Sequence, residues 1–274
     1  MFYINAFDAL TDKRLRAENQ DRCGRIDFMN LPTPGAESNC SVLYVLDGVS
    51  HGNGGEASST AEEALRRPLC ELCSMGKRLL DMSEQDRKNT IFRKLKAAIR
   101  QSDWAVRETL PPGSASTVSI ACVFGDKVYT CNVGDSGIYL LRLAHGMDQE
   151  LVQLHECHNR AGEKQRMGLI SKEEMLTDKD SNRLLKMVGG SGMALSDEDI
   201  YAQCETMAPG LNVIMLGSDG ALSVLPENRM RDIFVKCRVN GHLDTCTQTL
   251  FDEVEKVPEA TDNFTLIAEL IELV

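Results

Sequence analysis

The sequence predicts an α+β fold in which antiparallel sheets carry helices on their outer faces. Two observations favour this class. Apolar runs of strand character form a hairpin, with Thr117–Phe124 and Lys127–Val133 on either side of the turn Gly125-Asp126. Long segments with apolar residues at helical spacing lie before and after this strand-rich middle. No repeat or low-complexity linker divides the 274 residues, so we expect one domain over residues 1–274.

Local pattern predicts the elements in order along the chain. Ser41–Leu46 is a short apolar strand that ends at Asp47-Gly48, and a helical pattern starts near Glu56. Asp86–Leu110 has the spacing of a long amphipathic helix, which Pro111-Pro112-Gly113 stops. Further strands are predicted at Gly137–Leu143, Glu150–Leu154, Asn212–Leu216 and Phe264–Leu273, and further helices at Ser171–Leu176, Arg229–Val239 and Thr245–Glu255.

Composition excludes several classes of protein. The chain is 42% hydrophobic and 26% charged, which is typical of a globular domain. Its formal net charge of −11 argues against broad nucleic-acid binding, which needs a basic face. No apolar stretch approaches the ~20 residues that span a bilayer, so no membrane association is expected. Met1–Leu10 lacks the pattern of a signal peptide, and we expect a cytoplasmic protein.

The ten cysteines favour reduced thiols that pack as small hydrophobic side chains. Cys70 and Cys73 form the only C-x-x-C pair, and a zinc site normally needs a second pair of ligands. Cys157 and His158 are conceivable as that pair. The C-x-x-C lies in a helical pattern, and no second ligand motif matches it. We therefore expect these cysteines to have a structural role and not to bind zinc.

Acidic motifs follow or precede apolar runs at five places. When a strand ends in Asp-Gly, the carboxylate lies at the rim of the sheet, and several such ends can meet there. Carboxylates crowded together repel each other, and a bound cation is the usual compensation. Ligation by oxygen alone favours Mg²⁺ or Mn²⁺. The motifs are Arg16-Ala17-Glu18-Asn19-Gln20-Asp21, Asp47-Gly48, Gly134-Asp135-Ser136-Gly137, Ser218-Asp219-Gly220 and Asp262-Asn263.

The order R-x-x-N-Q-D, D-G, G-S-A-S-T, N-V-G-D-S, S-D-G, D-N resembles that of the metal-dependent protein serine/threonine phosphatases of type 2C. Gly168–Glu174, Asn182–Leu185 and Val188-Gly189 are similar to the flap region of the bacterial branch, which gives a flap segment near 158–190. The matches run from Arg16 to Ile267. The resemblance implies a four-layer αββα sandwich of two antiparallel sheets flanked by helices, with metal ions at one rim.

The resemblance also implies roles for single residues. Asp47 would bridge two Mg²⁺ or Mn²⁺ ions, and Asp135 matches an aspartate that takes part in a third, weaker site in bacterial relatives. A water activated by the metals would hydrolyse phosphoserine and phosphothreonine in proteins. The implied metal-site residues are Asp21, Asp47, Gly48 (through its carbonyl), Asp135, Asp219 and Asp262.

Two further residues concern the substrate. Arg16 matches the arginine that clamps the phosphate, and a planar guanidinium suits this task because it meets two phosphate oxygens at once. His51 lies in the glycine-rich run after Asp47-Gly48 and could act as a general acid. Its position does not match that of the proton donor in the animal enzymes of the family. We therefore expect His51 to be a solvent-facing loop residue and not the general acid.

The expected partners are phosphorylated proteins and a cognate serine/threonine kinase. One alternative is a catalytically dead relative that serves as a binding scaffold, and intact Asp47, Asp219 and Asp262 argue against it. A second alternative is the related regulatory branch that dephosphorylates anti-sigma-factor antagonists. The flap match at Gly168–Glu174 favours the general bacterial type.

Overall fold

A computed structural model describes residues 2–28, 40–49, 53–143, 149–238 and 243–273. The candidate His51 lies outside these residues. The strands are β1 (Phe2–Asp12), β2 (Arg22–Phe28), β3 (Cys40–Leu46), β4 (Ala115–Ser116), β5 (Val118–Phe124), β6 (Lys127–Val133), β7 (Gly137–Arg142), β8 (Glu150–Gln153), β9 (Val188–Gly189), β10 (Tyr201–Thr206), β11 (Gly210–Gly217) and β12 (Phe264–Leu273). The helices are α1 (Gly54–Ser74), α2 (Gly76–Leu80), α3 (Glu84–Thr109), α4 (Arg160–Arg166), α5 (Lys172–Met175), α6 (Asp219–Leu222), α7 (Glu227–Arg238) and α8 (Leu243–Glu255).

Two five-stranded antiparallel sheets form the centre of the molecule. One has the order β1-β12-β11-β7-β8, and the other has the order β10-β6-β5-β3-β2. Helices α1 and α3 cover the second sheet, whereas α7 and α8 pack on the first. The predicted four-layer αββα sandwich is therefore confirmed.

Successive side chains of each strand point to opposite faces of the sheet, and this alternation produces three apolar layers. In β3, Val42, Tyr44 and Leu46 belong to the core under α1 and α3. Leu43 and Val45 point the other way, into the layer between the two sheets. Because both faces of this central strand are covered, the whole of β3 is buried and its sequence shows a continuous apolar run.

The predicted elements agree with the observed ones to within a few residues at each end. Pattern reasoning missed β1, β2 and β10, which are edge strands of partly exposed residues. It also missed the short helices α2, α4 and α6 and the two-residue strands β4 and β9. Cys70 and Cys73 lie on α1, the first exposed and the second packed in the core under that helix. None of the described helices is long and apolar enough to cross a membrane. That residues 1–274 form one domain stays a prediction.

Asp103 on α3 fixes the chain segment that follows the flap. Its Oδ1 accepts hydrogen bonds from the Gly189 N–H at 2.7 Å and from Arg107 Nε at 2.8 Å, and its Oδ2 accepts from the Leu195 N–H at 2.9 Å. Arg107 in turn donates to the Gly192 and Met193 carbonyls. The side chain of Asp103 is only 3% exposed, so this network holds residues 188–195 against the helix from inside.

Replacing Asp103 with Ala should lower the free energy of unfolding by about 2–4 kcal/mol, because two N–H groups and a partly buried guanidinium lose their acceptor. Urea denaturation measures the change. Asp197→Ala, which removes an exposed ion pair with Arg100, is the matched control and should cost less than about 1 kcal/mol. Equal losses for the two variants would contradict a structural role for the network.

Candidate active site

Asn263 shapes the loop that carries Arg16. Its side-chain amide donates to the carbonyls of Lys13 and Glu18, both at 3.0 Å, and its Oδ1 accepts the Gln20 N–H at 2.9 Å. These bonds tie the end of the R-x-x-N-Q-D motif to the residue next to Asp262, although the two lie more than 240 positions apart. The loop is therefore fixed at the end of β12, where Asp262 also lies.

Thr117 holds the end of β3, where Asp47 and Gly48 lie. The Asp47 N–H donates to Thr117 Oγ1 at 3.0 Å, and the Thr117 N–H donates to the Asp47 carbonyl at 2.8 Å. Thr117 Oγ1 is also 2.7 Å from Ser136 Oγ, beside Asp135. A Cβ at Gly48 would lie 2.3 Å from the Gly54 carbonyl oxygen, so only glycine fits this close approach.

The turn after β6 presents Asp135 and is held by the first residues of the flap. Gly134 has φ of +103° and lies against Thr117, so it accepts no side chain. His158 Nδ1 accepts the Gly134 N–H at 3.2 Å, while the His158 N–H donates to the Gly134 carbonyl at 3.0 Å. Asn159 Nδ2 donates to Asp135 Oδ2 at 3.0 Å. The flap base and the Asp135 turn thus form one hydrogen-bonded unit.

His158 is a neutral structural histidine. It is 2% exposed, and burial together with the nearby charges of Lys186 and Arg166 lowers its pKa to about 3. Because Nδ1 is an acceptor, Nε2 carries the hydrogen and faces Glu156 Oε1 at 3.2 Å. To bind zinc instead, His158 would have to use Nδ1, which already accepts the Gly134 N–H, or Nε2, which faces Glu156. Both ring nitrogens therefore have other partners.

Asp219 and Asp262 lie together where β11 and β12 meet at the same rim. Ser218 connects the strands, because its N–H donates to the Thr265 carbonyl at 3.0 Å and its Oγ accepts the Thr265 N–H at 3.1 Å. Arg16 forms a two-pronged ion pair with Asp262, with Nε to Oδ1 at 3.0 Å and Nη2 to Oδ2 at 2.6 Å. The guanidinium therefore lies among the candidate carboxylates.

The predicted aspartates influence one another electrostatically. Burial, followed by the charges of Asp21, Asp219, Asp135 and Asp262, raises the pKa of Asp47 well above its usual value. Burial likewise raises the pKa of Asp21 to about 6 and that of Asp135 to about 7, and it raises the pKa of Asp219. The fold thus brings the five aspartates and Arg16 into one site in which negative charge lacks compensation.

Asp21 provides the test of whether a cation fits. Asp21 is 3% exposed, and neither of its carboxylate oxygens has a hydrogen bond of good geometry among the described residues. The nearby hydroxyls of Thr265 and Ser218 lower its pKa only in part, since burial still raises it to about 6. A buried carboxylate without a partner is costly, and a cation or the water around a cation would satisfy it. The donors at this rim are all oxygens, which suits a hard divalent ion. The residues therefore fit Mg²⁺ or Mn²⁺.

The carboxylates are not arranged as a finished metal site. Within the described ranges, no group of three or more His, Cys, Asp or Glu side chains could hold a metal ion as it stands. The aspartates repel each other, and Asp262 is engaged by Arg16. A bound cation would offset the repulsion between the carboxylates.

A cleft of about 830 Å³ opens directly on this site. Asp135, Asp219, Asp262 and Arg16 line it at the rim of the sheets. The flap contributes Glu173, Met175, Leu176, Thr177 and Asp178 to the lining. The predicted flap segment therefore contributes to the same cleft as the predicted site residues.

Sequence reasoning missed two residues that organise the site, Asn159 and His158. Asn159 carries a local signal, since its Oδ1 accepts the Gly162 N–H at 2.8 Å as a helix N-cap, and Asn before a helical pattern predicts such a cap. Its bond to Asp135 spans 24 positions and has no local signal. Thr117 lies in the quoted motif G-S-A-S-T, but its link to Asp47 was not predicted.

Comparison with known proteins places this geometry in a family. Residues 16–195 match the family described as Protein phosphatase 2C. The serine/threonine phosphatase stp of Listeria welshimeri is 30% identical over 226 residues, which cover 81% of this chain and 80% of the relative. Serine/threonine phosphatase Stp1 from Staphylococcus aureus shares the fold, with a TM-score of 0.74, 21% identity, and coverage of 96% of this chain and 93% of that one.

A further solved structure with the same fold is the catalytic domain of the serine threonine protein phosphatase PstP in complex with two manganese ions. It has a TM-score of 0.67 and 19% identity, and the match covers 99% of this chain and 100% of that one. With the family match over residues 16–195 and the relative at 30% identity, this chain belongs to the protein phosphatase 2C family.

Proposed function

We propose that this chain hydrolyses phosphoserine and phosphothreonine in proteins at the cleft beside the aspartate rim, with divalent metal ions held by Asp47, the Gly48 carbonyl, Asp219 and Asp262. Metal-dependent dephosphorylation is the activity of the family to which the chain belongs. The observation that carries the proposal is the convergence of five aspartates, each from a different segment of the chain, with Arg16 at the cleft.

The ions, when bound, would polarise the phosphoryl oxygens and activate water for attack on phosphorus. Asp47 directly follows β3, an interior strand of the second sheet, and Thr117 fixes its backbone there. Asp219 and Asp262 come from adjacent strands of the other sheet. Asp21 lies behind them with two free oxygens, which suits it to accept hydrogen bonds from water in the site.

Arg16 would bind the phosphate. Its guanidinium forms two hydrogen bonds with Asp262, and the same two donors match two oxygens of a phosphate. Arg16 and Asp262 both line the cleft, where Asp262 would hold a metal ion beside the phosphate that Arg16 binds.

The number of ions is two or three in this proposal. The PstP structure contains two manganese ions, which supports two ions for the rim. Asp135 is the candidate for a third, because it is 5% exposed, accepts a hydrogen bond from Asn159, and has its pKa raised by burial and by the charge of Asp219. The substrates would be products of a protein serine/threonine kinase. The free thiols among the described cysteines support a reducing compartment such as the cytoplasm.

Metal removal tests the function as a whole. We expect hydrolysis of a phosphothreonine peptide with added Mn²⁺ or Mg²⁺, and no hydrolysis in excess EDTA, because the proposed ligands are all oxygens. The circular dichroism spectrum should be unchanged by EDTA, because the apolar layers do not include the metal. Full turnover in EDTA, with no bound metal by elemental analysis, would overturn the proposal; a chain inactive with every added metal would fit a binding scaffold instead.

Replacing Asp219 with Asn should lower kcat by at least about a hundredfold, since a ligand is lost. The melting temperature should stay the same or rise, because burial and the Asp262 charge raise the pKa of Asp219 and a neutral side chain removes that repulsion. Steady-state kinetics and thermal unfolding measure the two effects. Asp197→Asn, on the exposed surface, is the control. An Asp219→Asn variant with wild-type kcat would refute the ligand assignment.

Replacing Arg16 with Ala should lower kcat/KM for a phosphopeptide by an amount equivalent to about 1.5–3 kcal/mol, the range for charge-assisted hydrogen bonds. Manganese affinity, measured by calorimetry, should stay near or above that of the wild type, because Asp262 loses a competing partner. Arg16→Lys should recover only part of the activity, since an ammonium lacks the planar pair of donors.

His51→Ala is the contrast for Arg16→Ala and should have the smaller effect on kcat/KM. If His51→Ala abolished activity and Arg16→Ala left kcat/KM unchanged, the two assignments would have to be exchanged.

A further inference from the structure

The cleft has two walls made from segments far apart in the sequence. The flap wall consists of Glu173, Met175, Leu176, Thr177 and Asp178 on and after α5, and the second wall consists of Val257, Glu259, Ala260 and Thr261 after α8. Its volume of about 830 Å³ lies toward the upper end of the range for small-molecule pockets. The cleft therefore has room for more than the phosphorylated side chain of a substrate. The substrate residues on either side of the phosphorylated one would contact both walls.

Both walls carry a carboxylate without a partner. Glu173 and Glu259 are exposed, and neither forms an ion pair with another residue of the described chain. Two other acidic groups of the lining have a cationic partner: Asp178 pairs with Lys164 at 2.8 Å, and Asp262 pairs with Arg16. Arg16 is the only cationic side chain on the lining within the described residues, and the phosphate is its expected partner.

Ion pairs hold the flap wall in place. Lys172 of α5 pairs with Glu227 of α7 at 3.0 Å, and Lys164 of α4 pairs with Asp178 and Asp180, both at 2.8 Å. Ser171 and Glu174 form a capping box at the start of α5. The neighbours of Glu173 are thus engaged, whereas Glu173 itself faces the cleft without a cation.

We propose that the cleft selects phosphorylated sequences with Lys or Arg beside the phosphorylated residue, and that Glu173 and Glu259 are the residues that determine this preference. The inference rests on the proposed phosphatase function. A basic flanking residue gains a carboxylate partner on either wall, while an acidic one is repelled by both. The partly exposed apolar side chains of Leu176 and Val257 provide contact for the aliphatic stems of Lys and Arg.

The test compares phosphothreonine peptides that differ only in the two flanking residues, which are Lys, Ala or Glu. The full chain with Mn²⁺ should hydrolyse the Lys peptide with a kcat/KM about fivefold above that of the Ala peptide, and the Glu peptide should be slower still. The difference should lie in KM. It should shrink at about 1 M salt, where exposed charges are screened over ~3 Å.

The readout for the variants is the Lys-to-Glu ratio of kcat/KM, which does not depend on the fraction of folded enzyme. Glu173→Gln and Glu259→Gln should each lower the ratio about two- to threefold, and the double variant should bring it close to one. Glu63→Gln is the matched control, because Glu63 is an exposed residue of α1 that does not line the cleft and its replacement removes the same charge.

Two results would overturn the inference while leaving the phosphatase function intact. One is equal kcat/KM for the Lys and Glu peptides in an enzyme that hydrolyses p-nitrophenyl phosphate. The other is a Lys-to-Glu ratio in the double variant that equals the ratio of Glu63→Gln. A chain that hydrolyses neither the peptides nor p-nitrophenyl phosphate would overturn the proposed function, and the inference with it.

Discussion

The carboxyl groups of Asp21, Asp47, Asp135 and Asp219 are withdrawn from water, and each also feels the charge of its neighbours. Both effects raise their pKa values, so charge at this rim is unfavourable until a cation is present. The free energy that keeps the groups together comes from elsewhere, namely from the three apolar layers above, between and below the sheets. The sandwich is the support that holds repelling charges in one place.

The negative charges of the aspartates at this rim are compensated in two different ways. Asp262 has a cationic partner in Arg16, while Asp135 has a neutral donor in Asn159. Asp21 has neither, and its two oxygens lie buried without a partner in the described chain. A divalent ion would act on all of these groups at once, because it replaces repulsion with shared attraction. We infer that a divalent ion would complete the site and offset the repulsion between its carboxylates.

The flap is tied to the rim at its base and to the helices along its length. His158 and Asn159 connect its first residues to the Gly134-Asp135 turn, and Lys172 connects α5 to α7. The segment that follows the flap is fixed by Asp103 on α3. These links attach the flap to the rim and to α7, and the segment after it to α3. Substrate preference can therefore reside in the few flap residues that face the cleft, without change at the aspartates.

The sequence by itself determined the central strands, the long helices and the candidate aspartates. Doubly buried strands such as β3 and β5 show continuous apolar runs, and amphipathic helices show a period of 3.6, so both carry a local signal. The order of motifs identified the family, and with it the four-layer fold and the proposed ligand set. The edge strands β1 and β2 escaped prediction because their residues are mostly only partly buried and their pattern is mixed.

Only the tertiary structure decided which groups meet. β1 pairs with β12 across nearly the whole chain, from Phe2 opposite Leu273 to Asp12 opposite Phe264, and no local pattern specifies such a partner. No local pattern specifies the hydrogen bonds of Asn263 to the loop that carries Arg16, or that of Asn159 to Asp135. Hydrogen bonds and ion pairs between distant residues depend on side-chain geometry after the chain has folded, whereas propensity and periodicity depend on neighbours along the chain. The sequence therefore names the charged residues of the rim, and the fold decides that Arg16 neutralises Asp262 while Asp21 is left without a partner.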